Sequence, residues 1–117
     1  MVAPTVRMPP GFGIVHTTLD AVIISCDDGY ASFLGVPPDE AIGRRVSEFT
    51  ADAGAGGPET MISILVRTGE PMSIRRTFVQ PSGAKVLCVI QLCLMRDGDG
   101  RPHSIVGVGQ LVPDAVR

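Results

Sequence analysis

The 117-residue chain has no tryptophan, one tyrosine and four phenylalanines. So few rings leave little with which to stack a large planar cofactor. Lysine is nearly missing: nine of the ten basic residues are arginine, twelve acids oppose them, and no basic block is longer than a pair. That balance, a formal net charge of −2, argues against a nucleic-acid partner. Long apolar runs are absent too. None approaches the ~20 residues that cross a bilayer, and the opening "MVAPTVRMPPGFG" lacks the apolar centre of a signal peptide. A cytoplasmic location without membrane contact is the expectation. Cysteine is sparse and odd in number: Cys26, Cys88 and Cys93. The last two fall on one predicted strand at an offset of five, so alternation points them to opposite faces, where they neither pair nor share a metal. Three reduced, mostly buried thiols and no metal site are expected. There is no "GxSxG", no Ser-His-Asp order and no acid pair, hence no support for an enzyme.

What is present is enough apolar residue for one core, 44% of the chain, and a length of one domain. Residues 1–12 read as a flexible tail and 113–117 as another, around a domain over 13–112. "GIVHTTLD" (13–20) and "AVIISC" (21–26) are β-branched and predict two strands joined near Leu19-Asp20. Asp27 stands at a helix N-cap. Tyr30, Phe33 and Leu34 share a face of the short helix after it, and Gly35 ends it in the left-handed conformation. Pro38 opens a second short helix, with Asp39 and Glu40 suiting its dipole, Ala41 and Ile42 facing inward and Gly43 stopping it. A third turn covers "VSEF" (46–49).

"TADAGAGG" (50–57) is a link; no strand leads directly into it and no lysine follows, so it is not a phosphate cradle. "PETMISILVRT" (58–68) is the clearest helix, with Met61, Ile62 and Leu65 as its apolar stripe and Gly69 as its end. Three strands follow: 71–80, with Met72, Ile74 and Phe78 on one face; 84–96; and 103–112. "PSG" and "DGDG" turn between them. In 84–96 the even residues Val86, Cys88, Ile90, Leu92 and Leu94 make an unbroken apolar face, which predicts the covered one. The odd face, with Leu87, Val89, Cys93 and Met95, is greasier than a solvated face should be. In the pair Arg75-Arg76 alternation sends one inward. An inward Arg76 offers an anchor for a carboxylate, but a rim arginine paired with Asp or Glu is the expectation. The order predicts an α+β domain: a five-stranded antiparallel sheet with several short helices packed over one face. Short helices make an irregular cover that can curve around a cavity.

Pieces of the chain resemble the PAS domain family in order and spacing: "IISCDDGYASFLG", "PPDEAIGRRVSEF" and "LVRTGEPMSIRRTFVQPSGAKVLCVIQLCLMRDGDGRPHSIVGVG". The resemblance spans about residues 13–112. Asp27 replaces the family's usual Asn, and Asp caps a helix as well. Pro113 and Asp114 stand where the family often continues into a linker. The resemblance implies a sensory domain of a bacterial signal-transduction protein, a histidine kinase of a two-component system or a similar regulator. The flavin branch carries a reactive cysteine after "GRN". Here Arg45 and Val46 stand there, so flavin is not expected. Haem-binding members use a histidine on the longest helix, and residues 58–68 have none. His16 and His103 lie on strands, so haem is not expected either.

Two readings follow. In one, a small, mainly apolar ligand sits among Phe33, Leu34, Val46, Phe49, Met61, Ile62, Leu65, Ile74, Cys88 and Ile90. In the other, the core is filled by side chains and the domain serves interaction or dimerisation. Either allows a homodimer through the outer face made by Leu87, Val89, Cys93 and Met95.

Overall fold

A computed structural model describes residues 11–51 and 56–112. Five strands and three α-helices follow one another as β1 (Phe12–Thr17), β2 (Ile23–Cys26), α1 (Asp28–Leu34), α2 (Pro38–Ala41), a 3-10 turn (Val46–Phe49), α3 (Pro58–Thr68), β3 (Met72–Val79), β4 (Lys85–Arg96) and β5 (Pro102–Leu111). The sheet order is β2-β1-β5-β4-β3, and every neighbouring pair is antiparallel. The helices cover one face, as the apolar alternation of 84–96 requires. Cys88, Ile90 and Leu92 are buried, while Gln91, Cys93 and Met95 are exposed on the other side.

The first hairpin differs from expectation. β1 stops at Thr17 and β2 starts only at Ile23. The Thr18 hydroxyl accepts the N–H groups of Asp20 and Val22, each at 3.1 Å, and so takes both from any ladder. Ala21 adopts φ 65° within this turn. The tails expected at 1–12 and 113–117 lie outside the described residues except at Gly11 and Phe12, and Phe12 is already in β1. Part of the link at 50–57 also lies outside them.

Asp27 caps α1 as expected: its Oδ1 accepts the Tyr30 N–H at 2.8 Å. The same oxygen accepts the Ile14 N–H at 3.0 Å, so it also ties the helix start to β1. The approach there is close. A Cβ on Gly13 would collide with the backbone of Tyr30, and one on Gly29 with the carbonyl of Phe12. At the other end Gly35, at φ 77°, closes the helix through its N–H to the Ala31 carbonyl. The Gln80 amide donates to the carbonyls of Ser32 and Phe33 from the end of β3. In α2 only Ala41 faces inward. Ile42, expected inside, is 48% exposed because the helix ends at Ala41 and the backbone turns extended.

Tyr30, Phe33 and Phe78 form the aromatic centre. Tyr30 meets Phe33 and Phe78 edge-on at 5.9 and 5.6 Å between centroids, while Phe33 and Phe78 stack at 6.3 Å. Each such pair adds about 1 kcal/mol beyond burial. Of the three thiols only Cys88 is buried; Cys26 is half-buried and Cys93 exposed. This corrects the expectation of mostly buried cysteines: Cys26 lies on edge strand β2 and Cys93 on the uncovered face.

Candidate functional site

Four strands of the sheet and three elements of its cover line a cavity of about 30 Å³. That is room for about two water molecules. β1 contributes Val15 and Thr17, β3 Ile74 and Arg76, β4 Ile90 and Leu92, and β5 Ile105. The roof is Tyr30 of α1, Val46 of the 3-10 turn, and Pro58 and Ile62 of α3. Strand alternation puts these sheet residues on the covered face, and the 3.6-residue period of α3 turns Ile62 and Leu65 toward it.

Of the ten residues expected to line a ligand site, Val46, Ile62, Ile74 and Ile90 are in this wall. Phe33, Leu34, Phe49, Leu65 and Cys88 are buried in the surrounding core, and Met61 packs against it half-buried. Val15, Thr17, Tyr30, Pro58, Arg76 and Ile105 stand in the wall outside those ten, and Leu92 was expected on the covered face without being chosen for the site; choosing among covered positions needs the strand order. β1 and β5 turn out to be inner strands.

Three polar groups enter this apolar wall. Arg76 is 3% exposed, which corrects its expected place on the rim. It shares the covered face of β3 with Ile74 and Phe78. Its Nη1 donates to the Gly56 carbonyl at 2.6 Å, ahead of α3, and it has at least one further partner. A guanidinium can be buried when it donates to fixed acceptors. Thr17 donates its hydroxyl hydrogen to the Thr18 carbonyl at 2.9 Å, which leaves its oxygen as an acceptor. Tyr30 is 1% exposed, and burial raises its phenol well above the usual value, partly offset by Arg76. No residue is recorded as partner to its hydroxyl among the described residues. No sealed side-chain nitrogen or oxygen lacks a partner among them. The Tyr30 oxygen is therefore not sealed in protein, and Tyr30 stands in the cavity wall.

Burial pushes the Cys88 thiol up to about 12. Cys26 is raised by burial and then by Asp27 and Asp28. Neither is poised as a nucleophile. Among the described residues no group of three or more His, Cys, Asp or Glu could hold a metal ion.

On the far side of Ile62 lies a wider open groove of about 510 Å³, lined also by Leu19, Asp20, Arg45, Glu59, Ser63, Val66 and Arg67. Two of its charges pair, Arg45 standing 3.8 Å from Glu59, and Arg45 also donates to the Asp20 backbone carbonyl at 3.0 Å. Ile62 belongs to both walls and separates the groove from the cavity.

The outer face of the sheet is different in kind. β5 presents Val106, Val108 and Gln110 there, in register with Cys93, Gln91 and Val89 of β4. Ser104 is buried on this side, with His16 Nε2 at 2.8 Å and His103 Nδ1 at 3.2 Å from its hydroxyl.

Residues 11–112 match the sequence model of the PAS fold. None of the curated proteins matches the chain in sequence. Solved structures with the same fold include a PAS domain of an HTR-like protein from Haloarcula marismortui, 16% identical, TM-score 0.73, aligned over 86% of this chain and 81% of that one. A light-oxygen-voltage domain studied with a flavin analogue is 19% identical, TM-score 0.69, over 87% and 78% of the two chains. The PAS-B domain of Drosophila melanogaster Cycle with bound ethylene glycol is 10% identical, TM-score 0.73, over 86% and 99%. At these identities the likeness is one of fold.

Proposed function

The chain belongs to the PAS fold family, whose domains are sensory and signalling modules, and from that premise we propose that it receives a small molecule in the cavity above the sheet and pairs with a second copy through the outer face. The observation that carries the first half is the Tyr30 hydroxyl, on a buried side chain in the cavity wall. An oxygen that enters and accepts its hydrogen adds a hydrogen bond worth about 0.5–1.5 kcal/mol. The host is a bacterial, cytoplasmic signal-transduction protein, a histidine kinase or similar regulator, with any catalytic output outside this domain.

Neither a flavin nor a haem is part of this reading, since the cavity as it stands is small for either. Pockets for drug-sized ligands run to about 300–1,000 Å³, against about 30 Å³ here. Arg45 and Val46 stand where flavin relatives of this fold carry their reactive segment, and α3 (Pro58–Thr68) has no histidine to ligate iron. The second reading, a side-chain-filled interaction module, is favoured by the same small volume.

For the outer face, the argument is charge. β5 and the centre of β4 present valines, glutamines and Cys93 there, with no acid or base among residues 87, 89, 91, 93, 106, 108 and 110. Two copies meet over this uncharged patch, with Arg75 of β3 at its flank opposite Val89.

Native mass spectrometry of protein purified from cells without denaturant tests the reading. A stoichiometric low-mass adduct on a dimer is expected. Bare dimer alone would favour the filled module, and bare monomer would overturn both.

A further inference from the structure

Resting on the cavity reading above, we propose that the cavity recognises a short aliphatic molecule headed by a hydrogen-bond-acceptor oxygen, which takes the hydrogen of the Tyr30 hydroxyl. The argument is a count of groups. Val15, Ile62, Ile74, Ile90 and Ile105 offer only carbon, so most of the ligand must be apolar. Against them stand a phenol and a guanidinium, both donors, at 1% and 3% exposure. The hydroxyl of Thr17 is spent as a donor on the Thr18 carbonyl. A ligand presenting only donors would leave the phenol proton unmet; one presenting an acceptor satisfies it. The volume of about 30 Å³ keeps the occupant to the smallest such molecules, and even those enter only as the side chains of the wall give way. The route in is past Ile62, which alone lines both the cavity and the groove of about 510 Å³ outside.

Carboxylates and neutral carbonyl compounds share this chemistry, so the experiment separates them. Acetate, acetamide and xenon are titrated into protein labelled at the isoleucine methyl groups. Ile62, Ile74, Ile90 and Ile105 line the cavity, while the exposed Ile14, Ile24 and Ile42 are internal controls. Tyr30 is the chain's one tyrosine, so a single ¹³Cζ label on tyrosine reports its hydroxyl directly and needs no variant.

Acetate or acetamide should shift the four cavity methyls saturably, with the tyrosine ¹³Cζ signal moving in step. Binding by acetate alone identifies an acid, and binding by acetamide as well identifies a neutral acceptor. Tyr30→Phe should weaken the oxygen-headed probe roughly five- to tenfold, the worth of one hydrogen bond, and leave xenon unaffected. Xenon binding without either oxygen-headed probe would overturn the proposal but leave a cavity receptor standing. So would oxygen-headed binding that leaves the tyrosine signal unmoved. Entry by none of the three would mean a cavity held by water or closed, and would sink the receptor reading as well.

Discussion

Asp27 is the residue whose removal is easiest to price. One oxygen accepts two backbone N–H groups, from Tyr30 and Ile14. Asp27→Ala should therefore cost about 2 kcal/mol, the upper end of the cap range. Asp27→Asn keeps an acceptor oxygen and should be nearly neutral; urea melts of the two variants check this. Cys88 and Tyr30 set the alkaline limit. Both hold their protons more tightly folded than unfolded, because burial penalises the thiolate and the phenolate. In the window from about pH 9, where the unfolded thiol titrates, up to about 12 for Cys88 in the fold, the native state binds more protons. Stability must then fall as pH rises. Denaturant midpoints measured from pH 7 to 11 should decline above 9, and Cys88→Ala should flatten that decline. Residues were unevenly legible. Asp27, Gly35 and the opposed Cys88 and Cys93 follow from local rules and stand where those rules put them. Arg76 did not, because its burial depends on the Gly56 carbonyl twenty residues earlier in the chain, and no pattern in β3 announces that acceptor. The special place of Tyr30 likewise arises from the unfilled volume beside it, not from the helix that carries it.

At the scale of elements, the contact between α1 (Asp28–Leu34) and β1 (Phe12–Thr17) is the least forgiving. Gly13 and Gly29 let two backbones meet where no Cβ fits. Gly13→Ala should destabilise by about 3 kcal/mol, the upper part of the overpacking range, because backbone yields less than a side chain end. Gly98→Ala, in open space at the β4–β5 turn, should stay within about 0.5 kcal/mol. Equal effects from the two substitutions, read from thermal or denaturant melts, would mean the helix does not dock as described. The elements themselves were largely written in the sequence: period-two alternation gives β3, β4 and β5, and the proline start and glycine end give α3. The first hairpin was less legible. β-branched residues run through "HTTLDAVII", but the Thr18 hydroxyl takes two backbone donors and ends the ladder early. The close approach of Gly13 to Gly29 was invisible, since a glycine in a strand signals weakness and closeness alike.

At the scale of the molecule, one five-stranded sheet separates two kinds of surface. Its covered side holds a small cavity with Tyr30 and Arg76 in an otherwise apolar wall. Its other side holds apolar and uncharged residues at its centre, with Arg75 and Lys85 beside them. A module that reports occupancy of the first to a partner on the second needs no long wire, only the sheet between them; that is the central claim. Sedimentation velocity on wild type and Val89→Glu, from low micromolar to near-millimolar protein, tests it most directly. Glutamate is the apt replacement because Val89 lies opposite Arg75 on β3, where a lysine would add like-charge repulsion within the sheet. The prediction is a dimer for wild type, a monomer for the variant, and the same circular dichroism for both. A wild type that stays monomeric at the highest concentration, or a variant that dimerises unchanged, would contradict the account.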